Sequence, residues 1–213
     1  MPNSPLSDLA FVRVPKTGST SLMQSLFPVI SETSGEVCLS GVHVPASFYA
    51  MHPHPHRLIT LVRDPLQMYC SFYWFMKIRL AKKDFKTPLA INPAHLENMA
   101  LLNSGADLGT FLRECPPNQL FPFYYDTIPV SEYFYVGTVD DMKTSMTLLN
   151  RMTGIDTSKS MVASNVNGAK PSSGEYPVSA ETRSIFESRN AQEYSMHELA
   201  LTRYSELKAE YSL

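Results

Sequence analysis

This 213-residue chain has little with which to build a covalent or metal framework. Its three cysteines, Cys38, Cys70 and Cys115, include no closely spaced pair, which excludes a cysteine zinc or dithiol motif and suits packed thiols in a reducing compartment. No apolar run reaches the roughly 18 residues that span a bilayer. The first residues, MPNSPLSDLAF, lack the basic flank and apolar core of a secretory leader. The chain as given therefore reads as soluble and cytoplasmic, with no membrane segment. Net charge is nearly absent too. At −2 it supplies no global field toward nucleic acid or an anionic membrane, so any anion binding must be local. Repeats and low-complexity tracts are also missing.

What is present is ordinary in bulk. Apolar residues at 44% and charged residues at 18% argue against disorder, and the length fits one domain, 1–213, with a sizeable core. Oligomeric state is not legible in such numbers.

The informative stretch is LAFVRVPKTGSTSL, residues 9–22. Leu9 to Val14 is a short apolar run suited to a buried strand, and Pro15 stops it. Gly18 permits unusual dihedrals and close approach of a ligand. Ser19, Thr20 and Ser21 bring hydroxyls to the start of a helix whose first amides have no intrahelical partner. Leu22, Leu26 and Phe27 give that helix an apolar face, and Lys16 adds a full positive charge. The segment is suited to an anion with several oxygens. The alternative is a strand, a turn and a capped helix with a solvated lysine. The phosphate loop of ordinary nucleotide triphosphatases, GxxxxGK[ST], is not matched, because here the lysine precedes the segment's only glycine.

Further along, Glu36 to Val44 reads as a strand ending in a loop, and Arg57 to Val62 (RLITLV) as the clearest buried strand. A helix over 65–81 follows, with Pro65 at its first position and Asp64 as cap. A polar loop covers about 84–95. Helical patterns run from His95 to Asn103 and from Leu108 to Glu114. Phe121 to Tyr125 and Tyr133 to Thr138 read as strands. Asp140 to Thr153 reads as a helix closed by Gly154. Residues 164–178 form a polar loop, and Ser179 to Leu207 a helix broken near Asn190. Strands alternating with helices predict an α/β fold with a central parallel sheet flanked by helices. Ligands of such sheets sit beyond the carboxyl ends of the strands. Lys16 and Arg63 each follow a strand at that end.

Arg63 has a planar fork suited to phosphate, and Ser71 lies two turns into the next helix, where its hydroxyl could share the same anion. Arg63 pairing with a surface carboxylate beside a simple Asp64-Pro65 cap is the plainer alternative. PKTGSTS, followed by RDP with a serine eight residues after the arginine, resembles the sulfotransferases that use 3′-phosphoadenosine 5′-phosphosulfate (PAPS). Within that family the chain is most similar to the carbohydrate branch typified by uronyl 2-O-sulfotransferases. The likeness is strongest at residues 11–22 and 57–75. It is weaker at Tyr133 to Met142, the 165–178 loop and the C-terminal helices.

The resemblance implies a P-loop-like turn in which Lys16, Thr17, Gly18, Ser19, Thr20 and Ser21 hold the 5′-phosphosulfate. It implies that Arg63 and Ser71 hold the 3′-phosphate, and that the 165–178 loop closes over the nucleotide with Lys170 as a phosphate contact. It also implies that His43, followed by Val44 ahead of the RDP strand, is the general base. Family members carry a second histidine two positions earlier, where this chain has Gly41, which leaves the acceptor open. The expected reaction moves a sulfuryl group from PAPS to a hydroxyl of a carbohydrate or similar acceptor and leaves 3′-phosphoadenosine 5′-phosphate (PAP). Lys16 would stabilise the departing oxygen and His43 would take the acceptor's proton. The scheme requires no metal.

His52, His54 and His56 (HPHPH) invite a zinc reading, but no cysteine or carboxylate lies close in sequence, and a connector ahead of the strand is expected. The basic run Lys77 to Lys86 suits either an acidic sugar chain or a solvated helix end. Phe72 to Phe75 could lend one ring for stacking on a sugar and otherwise serve the core. Two competing functions remain: a kinase-like phosphotransferase, which would need acidic magnesium ligands that do not stand out beside KTGSTS, and a non-catalytic module that binds PAP or another nucleotide.

Overall fold

The computed structural model describes residues 9–32, 43–51, 56–82, 94–154, 156 and 176–213, with the backbone alone at 27–32 and 82. Among the described residues three parallel strands lie in the order β1 (Leu9–Phe11), β2 (Arg57–Val62) and β3 (Tyr135–Thr138). Leu9 pairs with Arg57, Phe11 with Ile59, Ile59 with Tyr135 and Val62 with Thr138. All strand residues except Arg57 are buried, as a parallel sheet covered by helices requires. The fold is thus α/β, with a parallel sheet flanked by helices. Among the described residues no helix is long and apolar enough to cross a membrane.

Between β1 and β2 run α1 (Ser19–Glu32) and the short α2 (Ala46–Ala50). Between β2 and β3 come α3 (Pro65–Lys82), α4 (Ala94–Asn103), α5 (Leu108–Glu114) and α6 (Phe121–Tyr124). After β3 follow α7 (Met142–Thr153), α8 (Ala180–Arg189) and α9 (Ala191–Glu210), and both α7 and α9 pack on β3. Local chemistry sets several ends. Asp64 caps α3 by accepting from the Gln67 amide at 2.9 Å, and Pro65 is the first helical residue. Gly154 ends α7 in the left-handed conformation at φ +72°. Asn190 breaks the C-terminal helix in two, and its side-chain oxygen accepts from the Asn118 amide at 2.9 Å.

The strand expected at Phe121 to Tyr125 is instead the helical turn α6. Aromatic content favours a strand only where the backbone can join a ladder, and Pro122 within the first turn cannot donate to one. The deciding partner is remote. Glu193, fully buried on α9, accepts from the amides of Leu120 (2.7 Å) and Phe121 (2.9 Å) and from the Tyr69 hydroxyl (2.9 Å). One carboxylate thus caps α6 and ties it to α3 and α9. Burial pushes the Glu193 carboxyl above its ordinary range, while the two amides and the Tyr69 hydroxyl pull it back down. Glu193→Gln turns one oxygen into a donor facing donors. It should lower unfolding free energy by about 1–3 kcal/mol in urea denaturation. A change within about 0.5 kcal/mol, the size of an ordinary surface substitution, would remove Glu193 from this role.

The remaining expectations hold in part. The first strand stops at Phe11 rather than Val14, although the Val12 amide still bonds the Ile59 carbonyl at 3.0 Å. His43 and Val44 are irregular rather than strand, and residues 36–42 lie outside the described residues, as do the loop at 84–93 and most of 164–178.

Candidate functional site

The turn after β1 is built by unusual backbone. Lys16 has φ +67° and Gly18 φ +70°, on either side of a Thr17 without positive φ. Glycine adopts this region freely, whereas for lysine it costs about 1–2 kcal/mol. Alternation of this kind turns successive amides toward one side, as in anion-binding nests. The Thr17 hydroxyl donates to the Val14 carbonyl at 2.8 Å, which ties the turn to the segment that leaves β1. Gly18 also needs its bareness, because a Cβ would stand 3.2 Å from side-chain carbons of Val139 and Met142. The first closing bond of α1 runs from the Leu22 amide to the Gly18 carbonyl at 3.2 Å. The amides of Thr17, Gly18, Ser19 and Thr20 make no hydrogen bond among the described residues.

Two cations border this turn. An Arg63 Nη1 donates to the Lys16 carbonyl at 3.3 Å, which joins two motifs 47 residues apart. Neither Lys16 nor Arg63 has a carboxylate partner among the described residues. Burial, with a smaller push from the Arg63 charge, lowers the Lys16 ammonium to about 8. Its Nζ sits 4.3 Å from the centroid of the Phe75 ring, and the Arg79 guanidinium stands 5.5 Å from the same ring. Phe75 is 38% exposed, whereas Phe72 and Tyr73 belong to the core. Ser71 lies on α3 two turns beyond Arg63 and is likewise buried.

His43 is fixed by the segment that leaves β1. Its Nδ1 lies 2.6 Å from the Arg13 carbonyl, an atom that can only accept, so Nδ1 carries the proton and Nε2 keeps its lone pair. Burial lowers the His43 pKa. The bond to Arg13 opposes that, and the charges of Arg13, His95 and Lys16 add to it. Burial thus favours the neutral imidazole, whose Nε2 lone pair can accept a proton. Its ring meets Tyr124 edge-on at 6.4 Å.

Lys16, the amides of the turn, Arg63 and His43 gather at the carboxyl ends of β1 and β2, and Ser71 follows on α3. Lys170, His52 and His54 lie outside the described residues. His56, which is described, meets Tyr49 edge-on at 6.2 Å. Among the described residues no group of three metal-ligating side chains occurs. Burial raises the Cys70 and Cys115 thiols to about 12, so neither is a nucleophile at neutral pH. Sequence reasoning did not single out Arg13, His95 or Gln67. Arg13 adjoins the motif, but only the fold shows that its carbonyl orients His43. His95 stacks on Phe72 at 5.2 Å, a contact no spacing announces. No protein-family model, curated protein or solved structure matches this chain.

Proposed function

We propose that this protein is a PAPS-dependent sulfotransferase acting on an acceptor hydroxyl, with a carbohydrate as the acceptor class by family resemblance. The observation that carries the reading is the Arg63–Lys16 contact. It brings two cations, one from each motif, to a turn whose amides at residues 17–20 bond no acceptor among the described residues. An anion with phosphate groups at both ends fits such a set, because fixed donors and charges around it need no reorganisation.

In this reading Lys16 and the amides of residues 17–20, with the hydroxyls of Ser19, Thr20 and Ser21, hold the 5′-phosphosulfate of a P-loop-like turn. Arg63 and Ser71 hold the 3′-phosphate, and Lys170 adds a contact from the 165–178 loop. His43 Nε2 accepts the acceptor's proton as its oxygen bonds to sulfur. The bond from sulfur to the bridging oxygen breaks in line, and Lys16 neutralises the charge left on the departing 5′-phosphate. Sulfur changes neither oxidation state nor its number of oxygens, and PAP leaves.

The test is release of PAP and transfer of radiolabelled sulfuryl from PAPS across a panel of carbohydrate acceptors. Acceptor-dependent release that survives a magnesium chelator is expected. Magnesium-dependent ATP turnover instead would favour a phosphotransferase, and tight PAP binding without turnover on any acceptor would leave a non-catalytic module.

A further inference from the structure

Gln67 breaks a local rule. Asp64-Pro65-Leu66-Gln67 has the spacing of a capping box, in which the fourth side chain reaches back to the cap's own amide. Half of that box forms, since Asp64 Oδ1 accepts from the Gln67 amide. The Gln67 side chain goes elsewhere. Its Oε1 accepts from the Tyr176 amide at 2.9 Å, across 109 residues of sequence. Its Nε2 is buried with no hydrogen-bond partner among the described residues. An unmet buried donor is costly, and departures from local consistency concentrate at functional sites.

Its place suggests what the donor serves. Arg63, Gln67 and Ser71 recur every fourth residue and so share one side of the chain as it enters α3. They are 8%, 8% and 7% exposed. The Ser71 hydroxyl makes no hydrogen bond among the described residues. A cation, a side-chain amide donor and a hydroxyl donor in a row, none of these side chains bonded to a carboxylate among the described residues, make a set for an oxyanion.

Resting on the donor-site reading above, we propose that Gln67 is a binding residue for the 3′-phosphate. Its Nε2 donates to a phosphate oxygen between Arg63 and Ser71, and its Oε1 holds Tyr176 beside the site. The amide thus works at both ends. One end reads the ligand, and the other anchors the chain that follows the 157–175 segment.

Titration calorimetry with PAP and with adenosine 5′-phosphosulfate, which lacks the 3′-phosphate, tests this on wild type, Gln67→Glu and Gln67→Met. Glutamate keeps the acceptor for Tyr176 and replaces the donor by a negative oxygen. Gln67→Glu should weaken PAP binding by about ten- to a hundredfold and leave adenosine 5′-phosphosulfate within about twofold. Gln67→Met, which has no donor, should lose PAP affinity by about tenfold, and it carries the test if the glutamate variant fails to fold by thermal melting. Equal losses for both nucleotides would make Gln67 an anchor only, and unchanged PAP affinity would remove it from the site. Either result overturns the proposal while leaving the donor reading intact. Wild type binding PAP no better than adenosine 5′-phosphosulfate would instead bring down the donor reading, and this proposal with it.

Discussion

His43→Ala should lower the turnover of sulfuryl transfer by about 10²–10⁴-fold, the usual contribution of a positioned general base, with PAP affinity and melting temperature near wild type. One bond sets the tautomer of the ring. With Nδ1–H committed to the Arg13 carbonyl, Nε2 is the only ring atom able to take a proton. His43→Asn sharpens the test, because its side-chain amide can still donate to Arg13 but offers no base. Both variants should be equally impaired. Near-normal turnover in either purified protein would end the assignment. Since burial lowers the imidazole pKa, the neutral form persists below the ordinary range of about 6.5. The acid limb of the rate profile should therefore fall below that value.

Lys16→Ala should cost about 10²–10³-fold in kcat, the scale seen when one charge-stabilising donor is removed. The pH dependence is as informative as the magnitude. Lys16 is lowered to about 8, so the free protein carries the needed charge below that pH and loses it above. Affinity for PAP and kcat/KM should both decline as pH rises through about 8, by up to tenfold per unit, and PAP binding near that pH should take up a proton. Lys16→Arg keeps its charge to much higher pH, so the decline should move up or vanish. With the acid limb from His43, the profile of kcat/KM is a bell. An alkaline limb near 8 that persists unchanged in Lys16→Arg would assign it to another group.

The parts of this molecule that were legible in the sequence are those in which local chemistry agrees with the fold. RLITLV is buried on both sides and is a central strand. Asp64-Pro65 begins α3, Gly154 ends α7, and Asn190 divides α8 from α9. Phe121 to Tyr125 failed because Glu193, more than seventy residues away, supplies the cap that local composition cannot announce. The site follows the same division. Lys16, Gly18 and Arg63 were readable because strand ends concentrate them. The tautomer of His43, the ring contact between Lys16 and Phe75 and the diverted side chain of Gln67 were not, since each depends on a partner brought in by tertiary packing.

In the proposed reading the two motifs form one site for a nucleotide bearing a 3′-phosphate. Calorimetric titration of wild type and Arg63→Ala with PAP, and separately with ATP, tests it most directly. Micromolar PAP binding, much weaker ATP binding and at least about a tenfold loss of PAP affinity in Arg63→Ala, the scale of a charge-assisted hydrogen bond, are the expected results. PAP binding no tighter than ATP, or PAP affinity unchanged in Arg63→Ala, would contradict it.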